Sequence, residues 1–162
     1  MSKIKIVDNV LSESLLESIK QYSRSDEVHH SYQIWEPEVI KDSNPVLVKY
    51  FNEEMRSRTI SEIGKYLPQE YETITISWYG WIRGSYIPWH SDGHTKLAAT
   101  IYLNEHWDAD WGGWFAYEED DEIKCIKPKH NRMTMVLPPT RHTVFTVSPI
   151  APIRETVQIF AR

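Results

Sequence analysis

The chain has 162 residues, of which 41% are hydrophobic and 25% charged, with a formal net charge of −5 and a single cysteine. These values predict one domain over residues 1–162, large enough for a core without disulfides or a structural metal. The negative charge disfavours a nucleic-acid partner, because phosphate binding needs a concentrated basic face. No apolar run approaches the ~18 residues of a membrane span, and the N-terminus lacks a signal-peptide pattern, so we expect a cytoplasmic protein with no membrane partner. Its oligomeric state is left open.

The N-terminal third begins with a predicted strand over residues 3–10, where apolar and polar side chains alternate. Ser12 is then a predicted N-cap of a helix that runs to about Tyr22. Leu11 and Leu16 stand at the positions of a hydrophobic staple across that cap.

Residues 23–44 are polar and interrupted by proline, which predicts a loop with one short strand. The adjacent His29 and His30 could bind a metal, but neighbouring side chains in a loop rarely converge on one ion.

A second helix is predicted from Asn44 as N-cap and Pro45 at the first helical position to Pro68, which ends it. Residues 1–70 are therefore expected to be mainly a helical support for the rest of the chain. The apolar positions at helical spacing are Val46, Leu47, Tyr50, Phe51, Met55, Ile60, Ile63 and Leu67.

From Tyr71 onward the period changes to short β-rich runs separated by Gly, Pro, Asp and Asn clusters. Two helices followed by at least seven strands predict an α+β protein in which residues 71–162 form a double-sheet jelly roll. The runs are TITISWYG, LAATIYLN, GWFAYE, EIKCIK, RMTMVLP, HTVFTV and ETVQIFA.

The stretch YGWIRGSYIPWHSD carries the pair His90 and Asp92. Residues i and i+2 of a strand share a face, so this pair offers an imidazole nitrogen and a carboxylate oxygen to one point. A second histidine completing the face of an octahedron gives the arrangement typical of a non-haem Fe(II) oxygenase. The other copy of the motif, His106 with Asp108, has the composition of a hairpin loop and is less favoured.

The third ligand has to come from a later strand, and His142 is the best candidate because it begins a β-rich run after the turn-forming LPPT. His94 is too close in sequence to Asp92, and His130 sits in a polar turn. The alternative for His142 is an ordinary hydrogen-bonded histidine in a strand.

Arg154 begins the last predicted strand, and alternation puts Thr156, Gln158 and Phe160 on its face. A buried arginine inside a barrel needs an anion as its partner, and a guanidinium can form two parallel hydrogen bonds with a carboxylate. The Thr156 hydroxyl could donate a further hydrogen bond to the same carboxylate. The alternative is a solvated charge at a strand end.

At these residues the chain resembles the Fe(II)/2-oxoglutarate-dependent dioxygenases, within them the prolyl 4-hydroxylase-like group. The resemblance covers residues 73–162 and rests on His90-x-Asp92, His142 and Arg154, together with TIYLNEHWDADWGG and the Arg-led last strand. It implies a double-stranded β-helix with the N-terminal helices packed on one sheet.

The resemblance also implies roles for single residues. His90, Asp92 and His142 would ligate Fe(II), while Arg154 and the hydroxyl of Tyr102 would bind the distal carboxylate of 2-oxoglutarate. Either tyrosine 79 or tyrosine 86 would face the iron, with Tyr79 the better match.

Three departures from the family pattern stand out. Trp114 replaces an acidic residue that often follows the glycine pair. The segment between His142 and Arg154 is longer than in close relatives, because of SPIAPI, and the anion partner is Arg where collagen-type enzymes use Lys.

The function that the resemblance implies is hydroxylation of a C–H bond with conversion of 2-oxoglutarate to succinate and CO₂. The cofactors would be Fe(II), 2-oxoglutarate and O₂, with ascorbate as an accessory reductant. The favoured substrate is a prolyl residue of a peptide or protein. Free proline or another small molecule, methylated nucleic acid, and a non-catalytic jelly-roll binding module are the alternatives. The aromatic residues that a peptide would meet at the barrel mouth, unless they belong to the core, are Trp78, Trp81, Tyr86, Trp89 and Trp107.

Overall fold

A computed structural model describes residues 3–26, 31–33 and 44–162, and these form two α-helices and eleven β-strands. The helices are α1 (Glu13–Arg24) and α2 (Glu53–Ile63). The strands are β1 (Ile4–Asp8), β2 (Ser31–Gln33), β3 (Val46–Tyr50), β4 (Ile74–Trp81), β5 (Ile87–His90), β6 (Leu97–Tyr102), β7 (Phe115–Glu119), β8 (Glu122–Ile126), β9 (Arg132–Val136), β10 (His142–Val144) and β11 (Arg154–Ala161).

The strands pair antiparallel in two sheets. The larger sheet has the order β1-β9-β6-β11-β4-β3-β2, and the smaller has the order β5-β10-β7-β8. Six of the described strand pairings join strands that are not consecutive in the sequence, among them β1-β9, β4-β11 and β5-β10, as in a jelly roll. This confirms the predicted α+β fold with a double-stranded β-helix, and each of the seven predicted β-rich runs after Tyr71 contains one of the strands.

Both faces of the larger sheet are covered, because helices pack on one face and the smaller sheet on the other. The helix side is closed by apolar residues of α1 and α2 over Trp78, Ile101, Met133, Val157 and Ile159. The space between the sheets is filled by a second cluster that includes Val48, Trp81, Ile87, Phe115 and Val144. A side chain on the inner face of β11 is therefore enclosed by protein on all sides except at the ends of the barrel.

The start of α1 is fixed as its sequence predicts. Ser12 caps the helix by accepting a hydrogen bond from the Leu15 amide, and its own amide and hydroxyl donate to the Glu62 carboxylate of α2. Leu11 and Leu16 are both buried in the helix-side cluster. The first strand and first helix are thus confirmed, and the capping residue also joins the two helices.

The helix predicted from Asn44 to Pro68 is wrong over its first part, because residues 46–50 form β3. Val46 and Val48 are buried against the inner core, and β3 pairs with β4 over Val46↔Trp81 to Tyr50↔Ser77. Val46 and Val48 are β-branched residues at alternate positions, which fit a pleated strand. Their preference for a strand outweighs the helical spacing of the apolar residues over 46–67. The helix begins only at its cap Asn52, whose side chain accepts from the Met55 amide.

The N-terminal segment therefore contributes strands as well as helices: β1, β2 and β3 all join the larger sheet. His29 and His30 lie outside the described residues, as does part of the predicted loop around them. Within the described residues, neither helix has the length and apolar content needed to cross a bilayer.

Asn131 ties α1 to the sheet and offers a test of this packing. Its side chain accepts from the Leu11 amide (2.9 Å) and donates to the Leu11 carbonyl (2.8 Å), and its backbone is left-handed at φ 54°. We expect Asn131→Ala to lower the free energy of unfolding by about 2–4 kcal/mol, because two buried hydrogen bonds are lost and alanine is strained at this φ. Urea denaturation measures the loss, and Lys5→Ala on the exposed face of β1 should change it by less than about 0.5 kcal/mol.

Candidate metal and co-substrate site

Three donor side chains meet where β5 and β10 lie side by side in the smaller sheet. His90 ends β5, His142 begins β10, and the two residues pair directly across the strands. Asp92 follows two residues after His90, with Oδ1 3.7 Å from Nε2 of His90 and Oδ2 3.4 Å from Nε2 of His142. One ligand atom from each of the three lies within 4.8 Å of those of the other two, close enough to share one ion.

Asp92 reaches this point from a turn and not from a strand. We predicted that His90 and Asp92 share a strand face, but β5 ends at His90. The Thr95 amide and hydroxyl both donate to the Asp92 carbonyl at 2.9 Å, which fixes the turn. Asp92 thus lies beside His90 as expected, but the prediction that its backbone continues the strand was wrong. A tight turn at Asp92 leads into β6 instead.

Backbone carbonyls set the tautomer of both histidines. Nδ1 of His90 donates to the Pro88 carbonyl (2.8 Å), and Nδ1 of His142 donates to the Thr140 carbonyl (2.9 Å). A carbonyl can only accept, so Nδ1 carries the proton and the lone pair of Nε2 faces Asp92 in both rings. Metal-binding histidines are oriented by the same kind of outer hydrogen bond.

The surroundings of His90 and Asp92 favour the protonation states that a metal needs. Burial and the neighbouring His142 lower the pKa of His90 below its usual value. Burial acts to raise the pKa of Asp92, but its contact with His142 outweighs burial, and the net shift is downward. A neutral imidazole beside a carboxylate is the form that binds a divalent cation.

The other histidines of the described chain do not join this group. His106 packs edge-on against Trp111, with ring centroids 5.5 Å apart, and His130 donates to the Leu103 carbonyl (3.1 Å). His94 lines the same cleft as the three donors but is exposed and contributes no ligand atom to their cluster. Among the described residues, His90, Asp92 and His142 form the only group of three donors close enough to hold a metal.

A cleft of about 500 Å³ opens from these donors between the two sheets. Its apolar lining includes Tyr79, Trp81, Phe115, Val144 and Phe160. Tyr79 is therefore in the cleft, whereas Tyr86 is not among its lining residues. Burial raises the pKa of the Tyr79 phenol, the nearby Tyr50 adds to this, and Arg162 opposes it.

Of the aromatic residues considered for substrate contact, Trp81 lines this cleft. The other described members of the set lie elsewhere. Trp78 packs under the helices, Trp107 belongs to the inter-sheet core, and the Trp89 ring lies under the guanidinium of Arg141 at 5.8 Å. Most of these side chains are thus structural.

Arg154 is buried at the start of β11, with 1% of its surface exposed. Its Cζ lies 5.2 Å from the ring centroids of both Trp81 and Tyr102. Nε and Nη1 of Arg154 and the hydroxyl of Tyr102 have no hydrogen-bond partner among the described residues, and no described carboxylate forms an ion pair with the guanidinium. Burial lowers the pKa of Arg154, although the Tyr102 hydroxyl acts in the opposite direction. The solvated strand-end alternative is excluded.

Thr156, the other predicted anion-binding residue, is fully buried and already engaged. Its Oγ1 accepts from Nε1 of Trp81 (3.2 Å) and from Nε2 of Gln158 (3.5 Å). Thr156 therefore holds the indole of Trp81 beside Arg154. Its hydroxyl can still donate one hydrogen bond to a bound anion.

Gly113 makes room for Arg154 in a way that the sequence did not reveal. A Cβ at this position would lie 2.8 Å from Cδ of Arg154, and the backbone is left-handed at φ 62°. The preceding Gly112 is also left-handed, and a Cβ there would lie 2.3 Å from the Thr146 carbonyl oxygen. The glycine pair of the WGG motif thus allows the loop to close over the buried guanidinium.

Comparison with known proteins shows that these residues lie in the part of the chain that matches a family model. The family model described as the 2OG-Fe(II) oxygenase superfamily matches residues 74–162, which contain the three donors and Arg154. No curated protein is similar to the chain in sequence.

Solved structures share the whole fold. A prolyl-4-hydroxylase of Pseudomonas putida superposes with a TM-score of 0.73 at 14% identity, covering 99% of this chain and 92% of its own. A Trichoplax adhaerens prolyl hydroxylase, in complex with a hypoxia inducible factor peptide fragment, gives 0.74 at 14% identity, covering 98% and 83%. HygX of Streptomyces hygroscopicus, with nickel, 2-oxoglutarate and hygromycin B bound, gives 0.68 at 7% identity, covering 99% and 83%.

The three-donor cluster predicts one divalent metal site per chain. We expect His142→Ala to weaken binding of Mn²⁺ or Co²⁺ by at least about 100-fold, because two remaining donors cannot hold the ion in place. Calorimetric titration measures the affinity. His106→Ala, which breaks the second His-x-Asp motif, should bind the metal as the unmodified chain does. Equal loss in both variants would contradict the assignment.

Proposed function

Because this chain belongs to the 2OG-Fe(II) oxygenase superfamily, we propose that it hydroxylates a prolyl residue of a peptide or protein. The single observation that carries the proposal is a His-Asp-His cluster in a cleft lined by Trp81, with the buried Arg154 packed against the same Trp81 ring. No described carboxylate forms an ion pair with this arginine. A metal and a small dicarboxylate account for both features at once.

The residues fit the cofactors of the superfamily. His90, Asp92 and His142 would hold Fe(II) through two neutral imidazoles and one carboxylate. Arg154 would bind the distal carboxylate of 2-oxoglutarate through Nε and Nη1, and the hydroxyl of Tyr102 would donate to the same group. None of these three atoms has a hydrogen-bond partner among the described residues. A fully buried guanidinium needs such an anion, because isolated charges are costly to bury.

When bound, Fe(II), 2-oxoglutarate and dioxygen supply the oxidising chemistry, and 2-oxoglutarate leaves as succinate and CO₂. The chain itself binds the metal and co-substrate, orients the side chains that hold them and shields the site from water. Pro88 and Thr140 carbonyls hold the two imidazoles in one tautomer, and Thr156 holds the Trp81 ring against the Arg154 guanidinium. The inter-sheet core excludes water from the buried end of the site, which strengthens each charge interaction there.

The prolyl substrate is supported by two observations. The two prolyl hydroxylases superpose on nearly the whole chain, and one of them holds a peptide. The cleft next to the three donors is also lined by aromatic rings, among them Tyr79 and Phe115, which suit an apolar pyrrolidine ring. A small-molecule substrate is the second candidate, because HygX shares the fold and holds hygromycin B.

The direct test is succinate release from 2-oxoglutarate by the Fe(II)-loaded chain, with ascorbate present, in the presence and absence of proline-rich peptides. Peptide-stimulated release with a mass gain of one oxygen on a prolyl residue is the expected result. Release stimulated by free proline or another small molecule, and not by peptides, would favour the second candidate. Oxidation of methylated nucleic acid in their place would contradict both.

Arg154 gives a sharper test of co-substrate binding. We expect Arg154→Gln to raise the Kd of 2-oxoglutarate by roughly 100-fold, because charge-assisted hydrogen bonds to a buried carboxylate contribute about 1.5–3 kcal/mol each. Anaerobic titration of the Fe(II)-loaded chain measures this Kd. Metal affinity should stay the same in this variant, and Arg24→Gln on the exposed side of α1 should leave both affinities unchanged.

Gly113 tests the packing behind that arginine. Gly113→Ala would place a methyl group against Cδ of Arg154 and should raise the Kd of 2-oxoglutarate about tenfold while leaving metal affinity intact. Gly64→Ala is the matched control, because nothing lies within 4 Å of a Cβ there. Thermal unfolding of each variant separates a local shift of the guanidinium from general loss of stability. An unchanged Kd in a folded Gly113→Ala chain would show that the guanidinium does not need its present position.

A further inference from the structure

The inner face of β11 leads from the buried Arg154 to a second arginine at the open end of the cleft. Arg162 follows the strand with the same parity, and it lines the cleft that contains His90, Asp92 and His142. At ~3.4 Å per residue, the two arginine Cα atoms are roughly 27 Å apart along the extended chain. A five-carbon diacid held by Arg154 therefore leaves Arg162 free for another ligand.

The backbone of Arg162 is held in place although its side chain is exposed. Its amide donates to the Thr73 carbonyl (3.0 Å), and its carbonyl accepts from the amides of Glu72 (2.6 Å) and Thr73 (3.4 Å). These bonds extend the pairing of β11 with β4 by one more residue. The guanidinium is therefore presented at the mouth from a fixed point of the sheet.

No described acidic side chain forms an ion pair with Arg162. Asp92 is the one carboxylate among the lining residues of the cleft, and it is engaged with the two histidines. Tyr50 and Thr75 also line the cleft, and Thr75 pairs with Phe160, two residues before Arg162 on the same strand. A guanidinium that lines the cleft and has no described ion-pair partner makes a site for an anionic group of an incoming molecule.

We propose that Arg162 selects substrates that carry a carboxylate close to the hydroxylated residue. This inference rests on the proposed hydroxylase function and narrows its substrate class. The carboxylate can be the chain-terminal group of a prolyl compound or the side chain of a neighbouring acidic residue, since both present the same planar oxygens to a guanidinium. In this arrangement Arg154 binds the carboxylate of the co-substrate, and Arg162 binds the carboxylate of the substrate.

Two matched pairs of probes test the proposal and separate the two sources. The first pair is acetyl-L-proline and acetyl-L-prolinamide, and the second is acetyl-Gly-Pro-Asp-amide and acetyl-Gly-Pro-Asn-amide. Calorimetry measures their Kd on the anaerobic Fe(II) chain saturated with 2-oxoglutarate, so that Arg154 is already occupied. We expect the acidic member of at least one pair to bind about tenfold tighter than its neutral partner.

The variants then assign that preference to one side chain. Arg162→Gln should bring the acidic and neutral members of the pair to equal affinity, and Arg162→Lys should keep most of the preference. Arg24→Gln removes the same charge from an exposed position outside the cleft and should keep all of it. Equal binding of both members by the unmodified chain, no binding of any probe, or an unchanged preference in Arg162→Gln would each overturn the proposal.

Succinate release with the same probes distinguishes the two claims. An acid preference that depends on Arg162 but comes without succinate release supports the carboxylate site and contradicts the proposed hydroxylase. Succinate release that does not distinguish acid from amide supports the hydroxylase and overturns the carboxylate site.

Discussion

The central constraint on this structure is the burial of Arg154, with which no described carboxylate forms an ion pair. Taking a guanidinium out of water costs several kcal/mol unless an anion meets it. Here the fold supplies two aromatic faces, those of Trp81 and Tyr102, and no described residue forms a hydrogen bond with Nε or Nη1. The loop at Gly113 closes behind the side chain because it lacks a Cβ. An anion that binds the folded chain at this guanidinium would stabilise it against unfolding.

The two halves of the site belong to different sheets. His90 and His142 stand on neighbouring strands of the smaller sheet, and Arg154 stands on a central strand of the larger one. Their separation is therefore set by the apolar cluster between the sheets, not by either sheet alone. A close-packed core of this kind resists deformation, so the core fixes how far the three metal donors are from the guanidinium.

The sequence predicts the parts of this site that obey a simple period. Arg154, Thr156 and Gln158 alternate along one strand, so their shared face could be predicted from spacing, and the β-rich runs predicted the jelly roll. Residues 46–50 could not be assigned in this way, because a short apolar run fits both a helix and a strand until its partner β4, about thirty residues later, is known. The turn at Asp92 and the role of Gly113 depend on contacts with distant chain segments that no local pattern encodes.

The side chains on the inner face of β11 pass from a buried environment at Arg154 to a solvent-exposed one at Arg162. Between the two arginines lie Thr156 and Gln158, joined to each other and, through Gln158, to Thr100 by hydrogen bonds, so the polar groups here are mutually satisfied. An anion at the buried end experiences a low dielectric and is held strongly, whereas one at the mouth competes with water and is held weakly. The start of this strand face therefore suits a tightly held anion and its end suits a weakly held one, and the three metal donors line the same cleft as Gln158, Phe160 and Arg162.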